Sequence, residues 1–201
     1  MSVYKEEKIT LSLEGMTFDL LQIANIDEVF DALIALPDAH VDKADERIPY
    51  WTEIWPSALA LSVFILNNKD RVKGKTVLEL GAGMGLPSLV AASYTSAVVC
   101  SDYLTDALIF AKKNAELNGI LSIRYECIDW RSYNSDQRYE LILASDIAYE
   151  KRFFEDLPGS LKKMMQPNSE VWLSEPGRHF TAPFILDLKN HFDIKSYPLP
   201  Q

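Results

Sequence analysis

The sequence has few of the residues that build metal centres and disulfide frameworks. Among its 201 residues are two cysteines and three histidines, and neither type falls at a spacing typical of metal ligands. Cys100 and Cys127 each come near the end of a predicted strand, without a Cys-x-x-Cys motif. We therefore expect two buried free thiols and no metal ion.

Basic residues are also scarce, because 20 lysines and arginines face 29 aspartates and glutamates, giving a formal net charge of −9. A protein that binds nucleic acid through backbone charge needs a basic face, and no Lys/Arg cluster is visible. No apolar run approaches membrane-spanning length, and Met1 to Lys8 lacks the apolar core of a signal peptide. We expect a cytoplasmic protein with no nucleic-acid or membrane partner.

The length and the 48% hydrophobic content are typical of a single globular domain with a core around a sheet. Residues 1–48 are expected to form an N-terminal extension packed on a main unit, residues 49–201. Short apolar runs interrupted by Glu14-Gly15 predict a small hairpin in this extension. A helix capped by Asn25 or Asp27 is expected to follow it. A monomer is the favoured state.

The stretch from Thr76 to Tyr103 has the pattern of a β-turn-α-β nucleotide-binding unit. An apolar run leads into a glycine-rich turn, a helical segment opened by Pro87, and a second apolar run ending at Asp102. A dinucleotide fingerprint would need Gly-x-Gly-x-x-Gly, but position 86 is Leu, which weakens that interpretation. The pattern indicates a nucleoside ligand, and the alternative is a tight strand-helix connection without one.

The sequence Glu79-Leu80-Gly81-x-Gly83-x-Gly85 resembles the first motif of the seven-stranded, class I S-adenosylmethionine (SAM) methyltransferases. The resemblance implies an α/β fold with a Rossmann-like, doubly wound, mostly parallel sheet, and SAM as the cofactor. In that family the glycines let the backbone approach the methionine moiety, and the acid after the second strand accepts from the ribose hydroxyls. The implied cofactor contacts are Glu79, Gly81, Ala82, Gly83, Met84, Gly85, Asp102 and Tyr103.

A third strand is predicted from Ser122 to Trp130, where the hydropathy alternates before Asp129-Trp130. In the resembled family an acid at this place accepts from the adenine amino group while a neighbouring side chain packs on the ring. The resemblance therefore implies that Asp129 and Trp130 contact the cofactor. The alternative is a strand-end turn with a half-buried tryptophan.

The run from Tyr139 to Ser145 is almost continuously apolar, as expected of a central parallel strand. Chemistry in open α/β sheets lies beyond the carboxyl ends of the strands, so Asp146 and Tyr149 are the predicted catalytic residues and Ser145 a predicted cofactor contact. The Asp-x-x-Tyr form resembles the corresponding motif of protein-lysine methyltransferases. It differs from the Asn/Asp-Pro-Pro-Tyr motif of amino-methylating DNA, RNA and glutamine enzymes.

Trp51 and Trp55 lie in a Pro-Tyr-Trp…Trp-Pro segment before a predicted helix. Aromatics at helical spacing are more often core than ligand contacts, but the segment resembles one bordering the cleft of electron-transfer-flavoprotein β-subunit lysine methyltransferases. That resemblance, shared with nicotinamide N-methyltransferase-like proteins, implies a cofactor contact for Trp55 and a substrate contact for Trp51. Arg178, in a Pro-Gly-Arg sequence of the same branch, is predicted either to bind a substrate carboxylate or to form a structural ion pair.

The C-terminal end departs from the resembled family. A helix from Thr181 to Phe192 and a short strand from Asp193 to Tyr197 are expected, and Pro198 to Gln201 leaves no room for the second member of the usual antiparallel pair. Either the sheet has six strands or its edge is completed otherwise. A shortened C-terminal edge is therefore expected.

The predicted function is SAM-dependent N-methyl transfer to a lysine side chain of a protein, by in-line attack of the neutral amine. Asp146 is expected to orient the amine and Tyr149 to form a wall of the channel. A small amine or nicotinamide-like acceptor is the first alternative. A SAM-binding module without catalysis is the second.

Overall fold

A parallel five-stranded sheet with helices on both faces forms the centre of the molecule. The structure is a computed structural model that describes residues 4–45 and 47–198, without the side chain of Phe153. In the described part, the strands are β1 (Glu6–Leu13), β2 (Met16–Ile23), β3 (Val77–Leu80), β4 (Val98–Asp102), β5 (Arg124–Cys127), β6 (Tyr139–Ser145) and β7 (Met165–Ser174). The helices are α1 (Ile26–Ile34), α2 (Val41–Ala44), α3 (Pro56–Asn67), α4 (Lys69–Val72), α5 (Leu86–Ala92), α6 (Thr105–Leu117), α7 (Leu157–Met164) and α8 (Ala182–Leu188).

The sheet has the order β5-β4-β3-β6-β7, with every neighbouring pair parallel. Because side chains alternate along a strand, Val77 of β3 packs in one core with α3, α5 and α6, while Leu78 packs in another with α7 and α8. All four residues of β3 are buried, as are all five of β4. The expected Rossmann-like, mostly parallel fold is confirmed, and it brings the carboxyl ends of β3, β4 and β6 together.

The N-terminal hairpin predicted from Glu14-Gly15 is formed by β1 and β2, which pair antiparallel. Both turn residues have positive φ, 46° at Glu14 and 81° at Gly15. Asn25 precedes α1, but its side chain makes no capping bond and instead accepts from the Lys5 backbone N–H at 2.7 Å. The hairpin lies against α6, outside the main sheet.

The predicted strand from Asp193 to Tyr197 is wrong, because this segment has no strand conformation. Ile194 packs on the α7 and α8 side of the sheet, while the Tyr197 ring lies 5.2 Å from Phe64 of α3 on the other side. The segment therefore crosses the sheet edge instead of pairing along it. Within the described residues the main sheet has five strands, so the expected sixth strand is not formed there. Residues 199–201, which were expected to leave no room for a further strand, lie outside the described part.

Two local predictions also need correction. Cys100 is buried, but Cys127 is exposed because it ends β5, which is the edge strand of the sheet in the part of the chain that the structure describes. That strand is shorter than expected and begins only at Arg124. Among the described residues, none of the helices combines the length and the apolar character needed to cross a membrane.

Candidate active site

A cavity of about 600 Å³ lies at the carboxyl ends of β3, β4 and β6. Its volume is within the range typical of small-molecule sites, about 300–1,000 Å³. All predicted site residues except Glu79 line it. These are Trp51, Trp55, Gly81, Ala82, Gly83, Met84, Gly85, Asp102, Tyr103, Asp129, Trp130, Ser145, Asp146, Tyr149 and Arg178.

The glycine loop, residues 81–85, connects β3 to α5 and needs glycine for both conformation and space. Gly81 and Gly85 have φ of 61° and 78°, a region that side-chain-bearing residues rarely adopt. A Cβ on Gly81 would lie 2.7 Å from Ile147 Cγ2, and one on Gly85 would lie 2.8 Å from Ala111 Cβ. The bare backbone therefore packs directly on the residue after Asp146 and on α6.

Asp102, at the end of β4, is bonded to the glycine loop. Its Oδ2 accepts from the Gly83 N–H at 3.0 Å and its Oδ1 from the Leu104 N–H at 2.9 Å. Burial raises the pKa of Asp102, and these backbone hydrogen bonds oppose the rise. A carboxylate has about four acceptor positions, so Asp102 retains capacity for ligand hydroxyls.

Glu79 lies beneath the glycine loop and does not line the cavity. It is fully buried, and its Oε2 accepts from the Ser88 N–H at 2.9 Å in the first turn of α5. Burial raises its pKa to about 8. The structure places Glu79 as a support of the first turn of α5, directly after the loop, and its cofactor contact stays a prediction.

Asp129, after β5, is held by an arginine that sequence reasoning missed. Arg131 donates to Asp129 from Nε at 2.8 Å and from Nη2 at 2.7 Å, and its Nη1 donates to Asp45 at 3.0 Å. Burial raises the pKa of Asp129, but the Arg131 hydrogen bonds bring it below its ordinary value. The contact between Arg131 and Asp45 joins residues 86 positions apart, and sequence spacing gives no signal for it.

Arg131 and Trp130 shape the same end of the cavity in different ways. The Arg131 guanidinium lies 5.5 Å from the centre of the Tyr103 ring. Trp130 lines the cavity but is largely buried, and its carbonyl accepts from Ser160 Oγ at 2.6 Å. Trp130 is therefore a buried part of the cavity wall, and its contact with the cofactor stays a prediction.

Asp146 is held at the end of β6 by its backbone and by Arg178. Its φ of 54° lies in the left-handed region, and its N–H donates to Ser174 O at 2.9 Å. Arg178 Nη2 donates to Asp146 Oδ2 at 2.8 Å, and Nη1 donates to Oδ1. This bidentate pair raises the pKa of Arg178. The geometry supports the ion-pair alternative for Arg178, with a side chain that still reaches the cavity.

Aromatic rings line the cavity beside Asp146. Tyr50, which sequence reasoning did not single out, packs edge-on against Trp55 at 5.9 Å and Tyr149 at 5.4 Å. Burial is the main cause of a raised Tyr149 pKa. Trp51 is more deeply buried and packs on Phe110 at 5.2 Å, so it serves the core as well as the cavity wall. Tyr50 is adjacent to Trp51 in the segment that contains both tryptophans, and this position was the sequence signal that could have identified it as a site residue.

These residues fit SAM. The glycine loop offers a backbone cradle that side chains would fill, and Asp102 is a buried acceptor for hydroxyls at the end of the next strand. Tyr103 and Trp130 provide ring faces, and Asp146 lies at the far strand end within the same cavity. The arrangement suits a nucleoside at the glycine loop, beside a part of the cavity that Asp146 and aromatic rings line.

Comparison with known proteins also points to a methyltransferase. A family model described as lysine methyltransferase matches residues 45–189. The Homo sapiens histone-arginine methyltransferase METTL23 is 27% identical over 154 residues, covering 73% of this chain and 81% of that protein. The Danio rerio electron transfer flavoprotein beta subunit lysine methyltransferase is 32% identical over 133 residues, covering 65% of this chain and 51% of that protein.

The fold is similar to that of solved methyltransferases. The T. thermophilus 16S rRNA N2 G1207 methyltransferase (RsmC), in complex with AdoMet and guanosine, matches with a TM-score of 0.64 at 16% identity, covering 93% of this chain and 46% of that one. The family model itself spans well over half of the sequence. The chain therefore belongs to the lysine methyltransferase family and is a SAM-dependent methyltransferase.

Proposed function

We propose that this enzyme methylates the side-chain amine of a lysine in another protein. The observation that carries the proposal is the position of Asp146, a carboxylate fixed at the carboxyl end of β6 in the cavity that the glycine loop also lines. The zebrafish relative is named for a lysine acceptor in a protein, and this chain spans about half of that relative's length. Both support a protein-lysine acceptor here.

The cofactor would be held by this chain's glycine loop, by Asp102 and by the Asp129-Trp130 turn. When bound, SAM supplies a methyl group activated by a positively charged sulfur. Asp102 would accept from the ribose hydroxyls while keeping its bonds to the loop backbone. The remaining cavity wall, with Asp146 and the aromatic rings, is then available to the acceptor.

The acceptor must lose a proton before it attacks. A free lysine has a pKa near 10.4, so holding it neutral at pH 7 costs about 4–5 kcal/mol. An isolated carboxylate beside it would raise that cost by stabilising the ammonium. In this site Arg178 compensates the charge of Asp146, and the rings of Tyr50, Trp55 and Tyr149 exclude water. The ion pair limits the rise that Asp146 alone would cause, and the exclusion of water lowers the pKa of an amine in the pocket.

Asp146 then acts by orienting the amine rather than by taking its proton. Its two oxygens bond to Arg178, and their remaining lone pairs are available to an N–H of the acceptor. Tyr149 forms the channel wall, and the proton leaves to solvent. Positioning of the amine supplies the rate.

A second acceptor has specific support, because the human relative is named a histone-arginine methyltransferase. Incubating the enzyme and isotopically labelled SAM with a cell lysate, with and without removal of small molecules, separates the acceptors. Label on a lysine of a protein band, identified by mass spectrometry, supports the proposal. Label on an arginine would show that arginine, and not lysine, is the acceptor. Label in the small-molecule fraction would favour a small amine as the acceptor.

The control for this labelling is the Asp146→Ala protein, in which the enzyme-dependent label should disappear. If wild-type protein binds SAM but labels nothing in the lysate, the methyl-transfer proposal is contradicted. A cytoplasmic, monomeric enzyme is also part of the proposal. Microscopy of the tagged full chain and sedimentation analysis test those two parts.

A further inference from the structure

Asn114 of α6 joins two parts of the molecule that are far apart in sequence. Its side chain is fully buried. Its Oδ1 accepts from the Leu21 N–H of β2 at 2.7 Å, and its Nδ2 donates to Met84 O in the glycine loop at 2.9 Å. One side-chain amide therefore contacts both the N-terminal hairpin and the loop that lines the cavity.

Asn118, one helical turn later, contacts the same hairpin without reaching the loop. Its Oδ1 accepts from the Asp19 N–H at 3.0 Å, and its Nδ2 donates to Asp19 O at 2.7 Å and to Asn114 O at 2.7 Å. Four helical residues rise about 6 Å and two strand residues about 7 Å, which brings both asparagines level with alternate amides of β2. Asn118 is thus a matched reference for Asn114.

The Met84 side chain provides a second, independent link between the extension and the loop. It is buried in a cluster with Ile23 at the end of β2 and Val29 of α1, together with Trp51 and Phe110. The extension and the loop therefore share a buried cluster that includes the Met84 side chain, and Asn114 joins them through the Met84 carbonyl. A glycine-rich loop has many accessible conformations, and these contacts restrict it on the side away from the sheet.

We propose that Asn114 is a positioning residue for cofactor binding, which holds the Met84 carbonyl and couples the N-terminal hairpin to the glycine loop. On the other side, the loop is fixed by backbone and carboxylate acceptors of β4: Ala82 N–H donates to Ser101 O at 2.9 Å and Gly83 N–H to Asp102. Without Asn114 the Met84 carbonyl loses this side-chain donor, and the loop keeps its bonds to β4 and the packing of the Met84 side chain. The proposal rests on the assignment of this loop to SAM.

The test compares Asn114→Ala with Asn118→Ala in the full chain. Both variants remove a side-chain amide that bonds to β2, one within α6 and one directly after it, so both are expected to lower the free energy of unfolding in urea. Calorimetric titration with SAM should show an affinity about tenfold weaker for Asn114→Ala, the effect of about one lost hydrogen bond. For Asn118→Ala it should stay within about twofold of wild type. At saturating SAM the turnover of Asn114→Ala should be close to that of wild type.

Equal SAM affinities in the two variants would overturn the proposal, since they would leave Asn114 with a structural role alone. Failure of the wild-type protein to bind SAM would instead contradict the cofactor assignment. If Asn114→Ala does not fold, amide hydrogen exchange of the wild-type protein, measured with and without SAM, tests the coupling instead. Because coupling is reciprocal, SAM should slow exchange of the Leu21 N–H more than that of the Asp19 N–H. Equal slowing of the two amides refutes the coupling.

Discussion

Replacing Gly85 by alanine tests how the glycine loop is packed. The new Cβ would lie 2.8 Å from Ala111 Cβ and 3.3 Å from Ala111 Cα, at a φ of 78°. The left-handed conformation costs a non-glycine residue about 1–2 kcal/mol, and overpacking adds about 1–3 kcal/mol. We expect a loss of about 2–5 kcal/mol in the free energy of unfolding.

Gly83→Ala is the matched control, since Gly83 is also left-handed, with a φ of 53°, but the nearest atom to its added Cβ is 3.6 Å away. It should cost only the conformational part, about 1–2 kcal/mol. The reduced entropy of the unfolded chain affects both variants alike and cancels in the comparison. Urea denaturation of both proteins measures the difference.

Ala111→Gly should rescue part of the defect. By itself it costs about 1 kcal/mol of helix propensity, but combined with Gly85→Ala it removes the atom that overlaps the new Cβ. The pair should therefore be non-additive by about 1–3 kcal/mol, and Ala111→Gly should be additive with Gly83→Ala. Equal destabilisation by the two glycine substitutions, without rescue, would refute the packing argument.

Two further substitutions test the buried carboxylates. Asp102→Ala should weaken SAM binding at least about tenfold in calorimetry, because the cofactor loses its hydroxyl acceptor and Gly83 its partner; unchanged affinity would contradict the site. Glu79 has a folded-state pKa of about 8 against an ordinary 4.5, so its stabilising contribution is complete below pH 4.5 and is lost as the pH rises through 8. Glu79→Gln should remove that fall, at most about 1.4 kcal/mol per pH unit, and identical pH-stability curves for both proteins would show that Glu79 is ionised when folded.

Features set by local pattern could be predicted from the sequence. The hairpin at Glu14-Gly15 and the strand from Tyr139 to Ser145 depend on turn residues and apolar runs, and both were confirmed. The strand ends that carry Asp102 and Asp146 also follow from such runs, because parallel strands end at one edge of the sheet. This is why the predicted site residues, except Glu79, line one cavity.

Features set by long-range contacts could not be predicted in the same way. The sequence does not reveal that Arg178 pairs with Asp146, 32 residues earlier, or that Asn114 contacts Leu21, 93 residues earlier. The failed strand at Asp193 to Tyr197 has the same cause, since a strand needs a neighbour and this segment finds packing across the sheet edge instead.

The most direct test of the account measures SAM affinity and methyl transfer together in Asp146→Ala. Asp146 lines the acceptor side of the cavity, where its carboxylate bonds to Arg178, whereas the amides of the glycine loop bond to Ser101 and Asp102 of β4. We predict a SAM dissociation constant within about twofold of wild type and methyl transfer reduced at least about 100-fold, the effect of a mispositioned acceptor. Loss of SAM binding in step with activity, or retention of full turnover, would contradict the role assigned to Asp146.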